Sequence, residues 1–221
     1  MKLSLTLLLT ILSGSLAYAQ AEPQAGQSEV NVGNMELEGP QGRKLVPILA
    51  LSQTSLQARD RANVTSKGSY EVAAGALYEI PAGKGKLRTG IVYMPIKGHL
   101  TETNGQESIV SVNQVAIPAE FHYQIAREHV DGLYLKGSGA IAFKTSSKIE
   151  GSTAVVAADN SVDGAADLIL GLGIGKNVIL NSKMDLGFEA QVLKGQLGYK
   201  IQDQTLDQSV IQGMMTLNIK L

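Results

Sequence analysis

The final stretch of the chain, Ile211-Gln-Gly-Met-Met-Thr-Leu-Asn-Ile-Lys-Leu221, alternates between two kinds of side chain. One parity is almost wholly apolar and comprises Ile211, Gly213, Met215, Leu217, Ile219 and Leu221. The other is mostly polar and comprises Gln212, Met214, Thr216, Asn218 and Lys220. Successive side chains of a β-strand point to opposite faces, whereas a helix would scatter these residues around its axis. The stretch therefore predicts a strand with one apolar and one mostly polar face.

The same period of two recurs through most of the chain from Leu45 onward. It is clear over residues 71–80, 114–123, 133–144, 166–175 and 183–192, and weaker over 45–56 and 87–94. The links between the segments alternate in length: they are short at 81–86, 124–132 and 176–182, and longer at 57–69, 98–107, 145–164 and 195–208. Such alternation is typical of outer-membrane barrels. The pattern predicts an all-β domain over 44–221, a closed antiparallel up-and-down β-barrel of about eight strands, with the register of the first strand open.

The N-terminal segment has the pattern of a secretory signal. Lys2 is followed by an apolar run over 3–16 and by Ala17-Tyr18-Ala19, which places small residues at the two positions that a signal peptidase recognises. We expect a signal peptide over 1–19 with cleavage after Ala19. Residues 20–43 are rich in Gln, Glu, Gly and Asn, which predicts a flexible arm.

Composition narrows the range of partners and sites. The chain has no Cys, which excludes disulfides, thiolate metal sites and a lipid anchor on Cys. Its formal net charge of -1 provides no strong field for nucleic acid. No segment after the signal reaches 18 continuous apolar residues, so a membrane-embedded form would have to be a closed barrel.

The polar face of the predicted strands carries many small residues: Ala73, Gly75, Gly90, Ala116, Ser138, Gly171, Gly173 and Gly187. Small side chains suit the crowded interior of an eight-stranded barrel, so we expect this face inside and the apolar face toward lipid. Five tyrosines could form parts of interfacial girdles: Tyr70, Tyr78, Tyr93, Tyr123 and Tyr199. The alternative is a soluble periplasmic, lipocalin-like barrel with its apolar face inside.

An inward polar face would bring charges of both signs into the lumen. They comprise Glu71, Glu79, Glu120, Asp167, Asp185 and Glu189 against Arg88, Lys136, Lys144, Lys183 and Lys220. A buried charge without a partner costs several kcal/mol, so charges of opposite sign must pair. We therefore predict a lumen charge network that plugs the barrel.

Three stretches in the middle of the chain resemble the PorT-like family of outer-membrane β-barrels. They are Gly90-Ile-Val-Tyr-Met-Pro-Ile-Lys97-Gly98, Val115-Ala-Ile-Pro118-Ala-Glu-Phe-His-Tyr123 and Leu133-Tyr-Leu-Lys-Gly137-Ser-Gly139. They are similar to the family's third strand, to its Ile-Pro-Leu strand and to the strand that follows. The resemblance implies an integral outer-membrane barrel and no single activity.

No cofactor, metal or catalytic motif emerges. His99 and His129 have no partners at metal-ligand spacing. His122 lies two residues from Glu120 on the face expected inside the barrel, away from lipid substrates. The glycine run 171–175 before Lys176 fails the phosphate-loop spacing and is interpreted as relief of crowding. Asp159, Asp163 and Asp167 do not match a calcium loop, although a weak surface ion site stays open.

The sequence therefore favours a non-enzymatic outer-membrane barrel with a structural or adhesion-like, surface-recognition role. We expect a monomer without cofactor, with outer-membrane lipid and, during biogenesis, the barrel-assembly machinery as partners. The alternatives are the lipocalin-like carrier of an apolar ligand and, more remotely, a lipid-hydrolysing enzyme, whose Ser–His–acid set cannot be assembled from the sequence.

Overall fold

The computed structural model describes residues 42–59, 64–83, 85–125, 132–151, 162–201 and 204–221. The expected signal peptide and nearly all of the expected arm lie outside the described residues. The strands are β1 (Lys44–Ala58), β2 (Val64–Ala82), β3 (Gly85–Tyr93), β4 (Ile96–Glu102), β5 (Glu107–Gln124), β6 (Leu133–Gly151), β7 (Ala166–Asn181), β8 (Met184–Gly195), β9 (Tyr199–Ile201) and β10 (Gln204–Lys220).

The strands close into a ring, which confirms the predicted barrel. Every pairing is antiparallel, and β1 pairs with both β2 and β10, so the sheet has joined ends. β3 and β4 occupy one position of the ring, because both pair with β2 and with β5. Met94 and Pro95 separate these two strands, and β9 is a short addition to β10. The ring therefore has eight positions. Among the described residues, no helix is long and apolar enough to cross a membrane.

Hydrogen-bonded neighbours can be followed once round the ring, starting from Met184 on β8. They are, in order, Ile219, Leu45, Tyr78, Thr89, Ala119, Gly139, Leu170 and finally Lys194. The path thus returns to β8 ten residues beyond its start. A closed barrel needs such a stagger because its strands tilt, and with eight strands this stagger corresponds to a tilt of about 40°.

Burial alternates with the predicted parity along the segments that the sequence predicted as strands. On β10 the side chains of Gln212, Met214 and Thr216 are buried, while Ile211 and Met215 are exposed. The first strand, whose register the sequence left open, follows the same rule: its even-numbered residues from Lys44 to Leu56 are buried. The even-numbered side of β1 therefore faces the interior.

Parts of the long links predicted from sequence are strand. β2 begins at Val64, β4 continues to Glu102 and β6 reaches Gly151, where 57–69, 98–107 and 145–164 were expected to be loops. Regular pairing of β2 with β4, β4 with β5 and β5 with β6 supports these extensions. At the opposite end, β7 runs to Asn181, so a two-residue turn replaces most of the link expected over 176–182.

The extended end contains an apolar core of its own inside the ring. It consists of Leu56, Ile96, Leu100, Val110, Val112, Val162, Tyr199, Ile201 and Leu206, all at most 2% exposed. Gly98 allows β1 to approach β4 here, because a Cβ at Gly98 would lie 2.7 Å from the Leu56 Cβ and 2.9 Å from the Leu56 backbone nitrogen. The Thr54 hydroxyl and the Lys97 backbone N–H lie 3.0 Å apart, which joins the same two strands. We call this end the loop end and the opposite one the short-turn end.

Candidate functional site

A belt of exposed apolar side chains surrounds the middle of the barrel. Its members come from every ring position and include Leu49, Leu51, Val72, Ile91, Ile117, Leu135, Leu170, Leu172, Ile174, Val192, Ile211 and Met215. Leu172 is 75% exposed. A soluble protein rarely presents contiguous apolar surface on this scale, so the belt is a surface made for an apolar environment.

Exposed aromatic residues lie along both borders of the belt. Tyr78, Phe121 and Tyr123 lie near the short-turn end, and Tyr70, Tyr93 and Phe143 lie toward the loop end. Tyr93 and Phe143 flank Val115 on β5, whereas Tyr123 lies eight residues further along that strand. Eight residues of a tilted strand span about 20 Å along the barrel axis, close to the apolar band of about 25 Å in membrane barrels.

Inside the belt, the centre of the lumen's charged layer is Arg88, which is fully buried. Its guanidinium donates to Glu79 and Glu189 at 2.6 Å each, and to the side-chain oxygen of Asn218 at 2.8 Å. The three partners come from β2, β8 and β10, so one side chain crosses the lumen and joins opposite walls. Arg suits this position because its planar fork presents several donors at once.

Lys136 continues the network from the other side. Its ammonium group donates to Glu120 at 3.1 Å and to Glu189 at 2.7 Å. His122 lies 3.2 Å from Glu120 and stacks on the ring of Tyr134, with 4.6 Å between the ring centroids. The Tyr134 hydroxyl donates to Glu189 at 2.6 Å. All five residues are at most 5% exposed, so the network replaces solvent across the lumen.

Two further lysines lie nearer the short-turn mouth. Lys44 pairs with Asp185 at 2.5 Å, and Lys86 lies 3.3 Å from Glu79. Lys44 and Lys86 were not among the predicted members of the network. Lys86 has the same parity as Arg88 on β3, so the sequence could have indicated that it faces inward. Lys44 could have been found in the same way only if the register of β1 had been known.

The structure divides the eleven predicted lumen charges into three groups. Glu79, Arg88, Glu120, Lys136 and Glu189 are brought together, with Asp185 beside them through Lys44. Glu71, Lys144 and Asp167 face inward near the loop end, away from that layer. Lys183 and Lys220 are exposed at the short-turn rim, so we correct their assignment to the lumen: Lys183 lies in the turn, and Lys220 ends β10.

Asp167 binds and fixes the backbone segment before β9 at the loop end. Its carboxylate accepts from the backbone N–H groups of Leu197 at 2.8 Å and Gly198 at 3.2 Å, and from the side chain of Gln208. These bonds hold the chain just before Tyr199, whose hydroxyl donates to Gln114 inside the barrel. Burial, with the charge of Asp167 nearby, raises the pKa of the Tyr199 hydroxyl above its usual value. All three groups that donate to the Asp167 carboxylate are uncharged.

The interior between these two ends is apolar rather than polar, contrary to the predicted lumen. Val92, Met94, Ile169, Leu193 and Met214 are buried there. They line a cavity of about 40 Å³ together with polar groups that include Gln191 and Ser138. Since one water needs about 10–15 Å³, the cavity has room for a few waters and for no larger solute. In the described part of the chain, side chains thus fill the lumen at the charged layer, in the apolar middle and at the loop-end core.

One buried group has the donor types of a metal site. Ligand atoms of Glu120, His122 and Glu189 lie within 4.8 Å of one another. The ammonium of Lys136, however, lies between the two carboxylates and already supplies the positive charge. The group is therefore explained as part of the ion-pair layer. Of the other candidates, His99 and Asp163 are described and lie apart from this group, whereas His129 and Asp159 lie outside the described residues.

The glycines over 171–175 lie on β7, with no helix after them. A Cβ at Gly175 would collide with the ring of Tyr134, which occupies that space in the lumen. The glycine therefore makes room for the tyrosine that binds Glu189, in agreement with its interpretation as relief of crowding.

No protein-family model matches this chain, and no curated protein does. The resemblance to the PorT-like family therefore stays a prediction. Among solved structures, Neisserial surface protein A has a TM-score of 0.47 and 9% identity over 81% of this chain and 98% of its own. The outer-membrane protein OprG of Pseudomonas aeruginosa has a TM-score of 0.48 and 8% identity over 81% and 96%. Outer membrane protein AlkL has a TM-score of 0.43 and 13% identity over 88% and 98%. These neighbours are outer-membrane β-barrels, and the likeness is one of fold.

Proposed function

We propose that this chain is an integral outer-membrane β-barrel, closed to solutes, with a structural or surface-recognition role. The observation that carries the proposal is the apolar belt with its two aromatic borders around a charged, filled lumen. An apolar outer face and a polar interior are what a lipid environment requires of a closed barrel. PorT-like membership is compatible with this proposal.

The geometry opposes the lipocalin-like alternative. Such a carrier needs an apolar ligand cavity inside and a solvated face outside. Here the cavity between the two ends is about 40 Å³, and it lies beside the buried layer of ion pairs. Leu51 and Leu172, by contrast, are more than half exposed on the outside. A porin-like role is opposed for the same reason, since a filled lumen leaves no path for solutes.

One pair of substitutions separates membrane insertion from solubility. Leu172→Arg places a charge in the middle of the belt, which costs a membrane barrel about 2–4 kcal/mol. In a soluble protein the same exposed substitution would change stability by less than about 0.5 kcal/mol. Thr65→Arg, on the exposed loop-end face, is the matched control. We expect a large loss for Leu172→Arg and almost none for Thr65→Arg in denaturant unfolding of the lipid-reconstituted protein.

Fractionation of expressing cells gives an independent test. We expect the protein in the outer-membrane pool, with faster gel migration before heating than after. A periplasmic protein without a heat-dependent shift would contradict the proposal. So would a Leu172→Arg variant as stable as the wild type.

A further inference from the structure

The wall formed by β2, β4, β5 and β6 rises beyond the loop-side aromatic border, and its outer face there is polar and cationic. Lys97 and Lys148 both lie opposite Ser111 of β5. Lys67 lies opposite His99, which follows Lys97 by two residues on the same face. Neighbouring strands are about 5 Å apart, so the three lysines and His99 share a patch about 10–15 Å across. We call these four residues the basic patch.

The basic patch contributes three lysines to an outer face that also carries two carboxylates, Glu107 and Glu150. Lys148 is paired with Glu150 at 2.6 Å. In the part of the chain that the structure describes, no ion pair joins Lys67, Lys97 or His99 to an acid. The hydrogen bond and charge of Lys148, and to a lesser extent the charge of Lys97, lower the pKa of the Glu150 carboxyl. With three lysines against two carboxylates the outer face keeps an excess of positive charge, and His99 lies between Lys67 and Lys97 as a further donor.

The distance of the basic patch from the loop-side aromatic border matches the headgroup layer of a membrane. Tyr93 and Phe143 flank Val115, and Ser111, between Lys97 and Lys148, follows four residues further toward the loop end. Four residues rise about 10 Å along the axis of the tilted barrel. A bilayer has about 5–8 Å of polar headgroup outside each face of its hydrocarbon core. Lysine stems can reach back over that distance while the ammonium stays in the headgroup layer.

Neutral polar residues lie between the aromatic border at Tyr93 and the basic patch. The Tyr93 hydroxyl donates to the Asn113 side-chain oxygen at 2.8 Å, and the Asn113 amide donates to the Ser146 hydroxyl at 2.9 Å. Going up the wall, the outer face thus changes from aromatic to neutral polar to cationic. The order of a bilayer from hydrocarbon to glycerol region to phosphate is the same.

We infer that the basic patch binds the phosphate groups of an anionic membrane lipid in the leaflet around the loop end. The inference rests on the proposed membrane insertion. The charged side chains stand on the wall's outer face, directly above the apolar belt, so they point over the membrane rather than out of the barrel mouth. This orientation favours a lipid phosphate over a soluble polyanion.

The experiment uses the full chain in nanodiscs of phosphatidylcholine that contain a small fraction of diphosphorylated lipid A. Lipid retained by the protein after mild extraction is measured by native mass spectrometry. We expect the wild type to enrich lipid A over phosphatidylcholine, and Lys67→Gln/Lys97→Gln to lower this enrichment about tenfold. Lys183→Gln/Lys220→Gln removes the same charge at the short-turn end and should retain the enrichment. Added salt should weaken it in the wild type.

Equal losses in the two double variants would overturn the inference, as would a wild type without enrichment. Heparin binding to protein in pure phosphatidylcholine discs, lost in Lys67→Gln/Lys97→Gln, would assign the patch to a soluble polyanion and also overturn it. A chain that is embedded in the disc, with a heat-shifted band, and shows no enrichment contradicts this inference alone. A chain that never enters the disc contradicts the proposed function as well.

Discussion

The two ends of the barrel have opposite polarity. Near the short-turn end, Arg88 and Lys136 pair with carboxylates inside, while Tyr78 and Leu135 are exposed outside. At the loop end, Leu100 and its neighbours form an apolar core inside, while lysines and polar residues occupy the outer face. One sheet of continuous strands therefore follows the rule of a membrane barrel at one end and that of a soluble β-sandwich at the other. The surroundings of each segment determine which parity is apolar.

The largest expected effect is at the short-turn end. Arg88→Leu removes the guanidinium that joins Glu79 to Glu189. Among the described residues, Glu79 is then left with Lys86 alone, and Glu189 with Lys136 as its only cationic partner. Breaking a buried ion pair by removing one member costs about 3–5 kcal/mol. Urea unfolding in lipid vesicles, followed by the heat-dependent gel shift, measures this loss. Stability within about 0.5 kcal/mol of the wild type would mean that the charged layer does not support the barrel.

Truncation of the loop-end core should act locally. Leu100→Ala removes a side chain that is 1% exposed, at a cost of about 2–4 kcal/mol. We expect faster proteolysis of the loop end with an unchanged heat shift of the rest of the barrel. Leu172→Ala in the belt is the matched control and should leave the proteolysis rate unchanged. If Leu100→Ala abolished the heat shift, the two ends would unfold as one unit and the comparison would fail.

A smaller effect is expected where β1 approaches β4. Gly98→Ala brings a methyl group within 2.9 Å of the Leu56 backbone nitrogen. Overpacking of this kind costs about 1–3 kcal/mol. Gly137→Ala is the control, because its Cβ would meet no atom within 4 Å. The denaturant midpoint of Gly98→Ala should be lower than that of Gly137→Ala. Equal midpoints would remove the case for a close approach of β1 to β4 at the loop end.

The smallest effect concerns one hydroxyl. Tyr199→Phe removes the bond to Gln114 and should cost about 1 kcal/mol, whereas Tyr93→Phe on the outer face should cost less. Because the pKa of Tyr199 is raised in the fold, its stabilising contribution is complete below the pKa of an unfolded tyrosine, near 10, and declines above it. Alkaline ultraviolet titration should show the same number of tyrosines ionising near pH 10 in the wild type and in Tyr199→Phe, because Tyr199 does not ionise with the exposed group. Loss of one ionising tyrosine from that phase in Tyr199→Phe would contradict this.

Strand parity could be predicted from sequence because period-two alternation depends on local order alone. Height along the axis could not, because it depends on the stagger of pairing around the whole ring. Glu71 and Glu79 have the same parity on β2, yet Glu79 pairs with Arg88 and Glu71 lies near the opposite end. The loop-end core was missed because Leu100, Tyr199 and Leu206 lie in segments interpreted as loops. Their inward positions depend on partners that are distant in sequence.

The seam between β1 and β10 has a consequence for how the chain reaches this state. Lys44 lies opposite Lys220, so the first and last described strands must meet before any ring exists. Contacts between such distant residues form late, because a long loop must be closed first. Until then β1 and β10 are open edges, able to pair with another chain. During assembly the chain can therefore aggregate through these edges until β10 pairs with β1. A protein that covers both edges would give the most protection during this period.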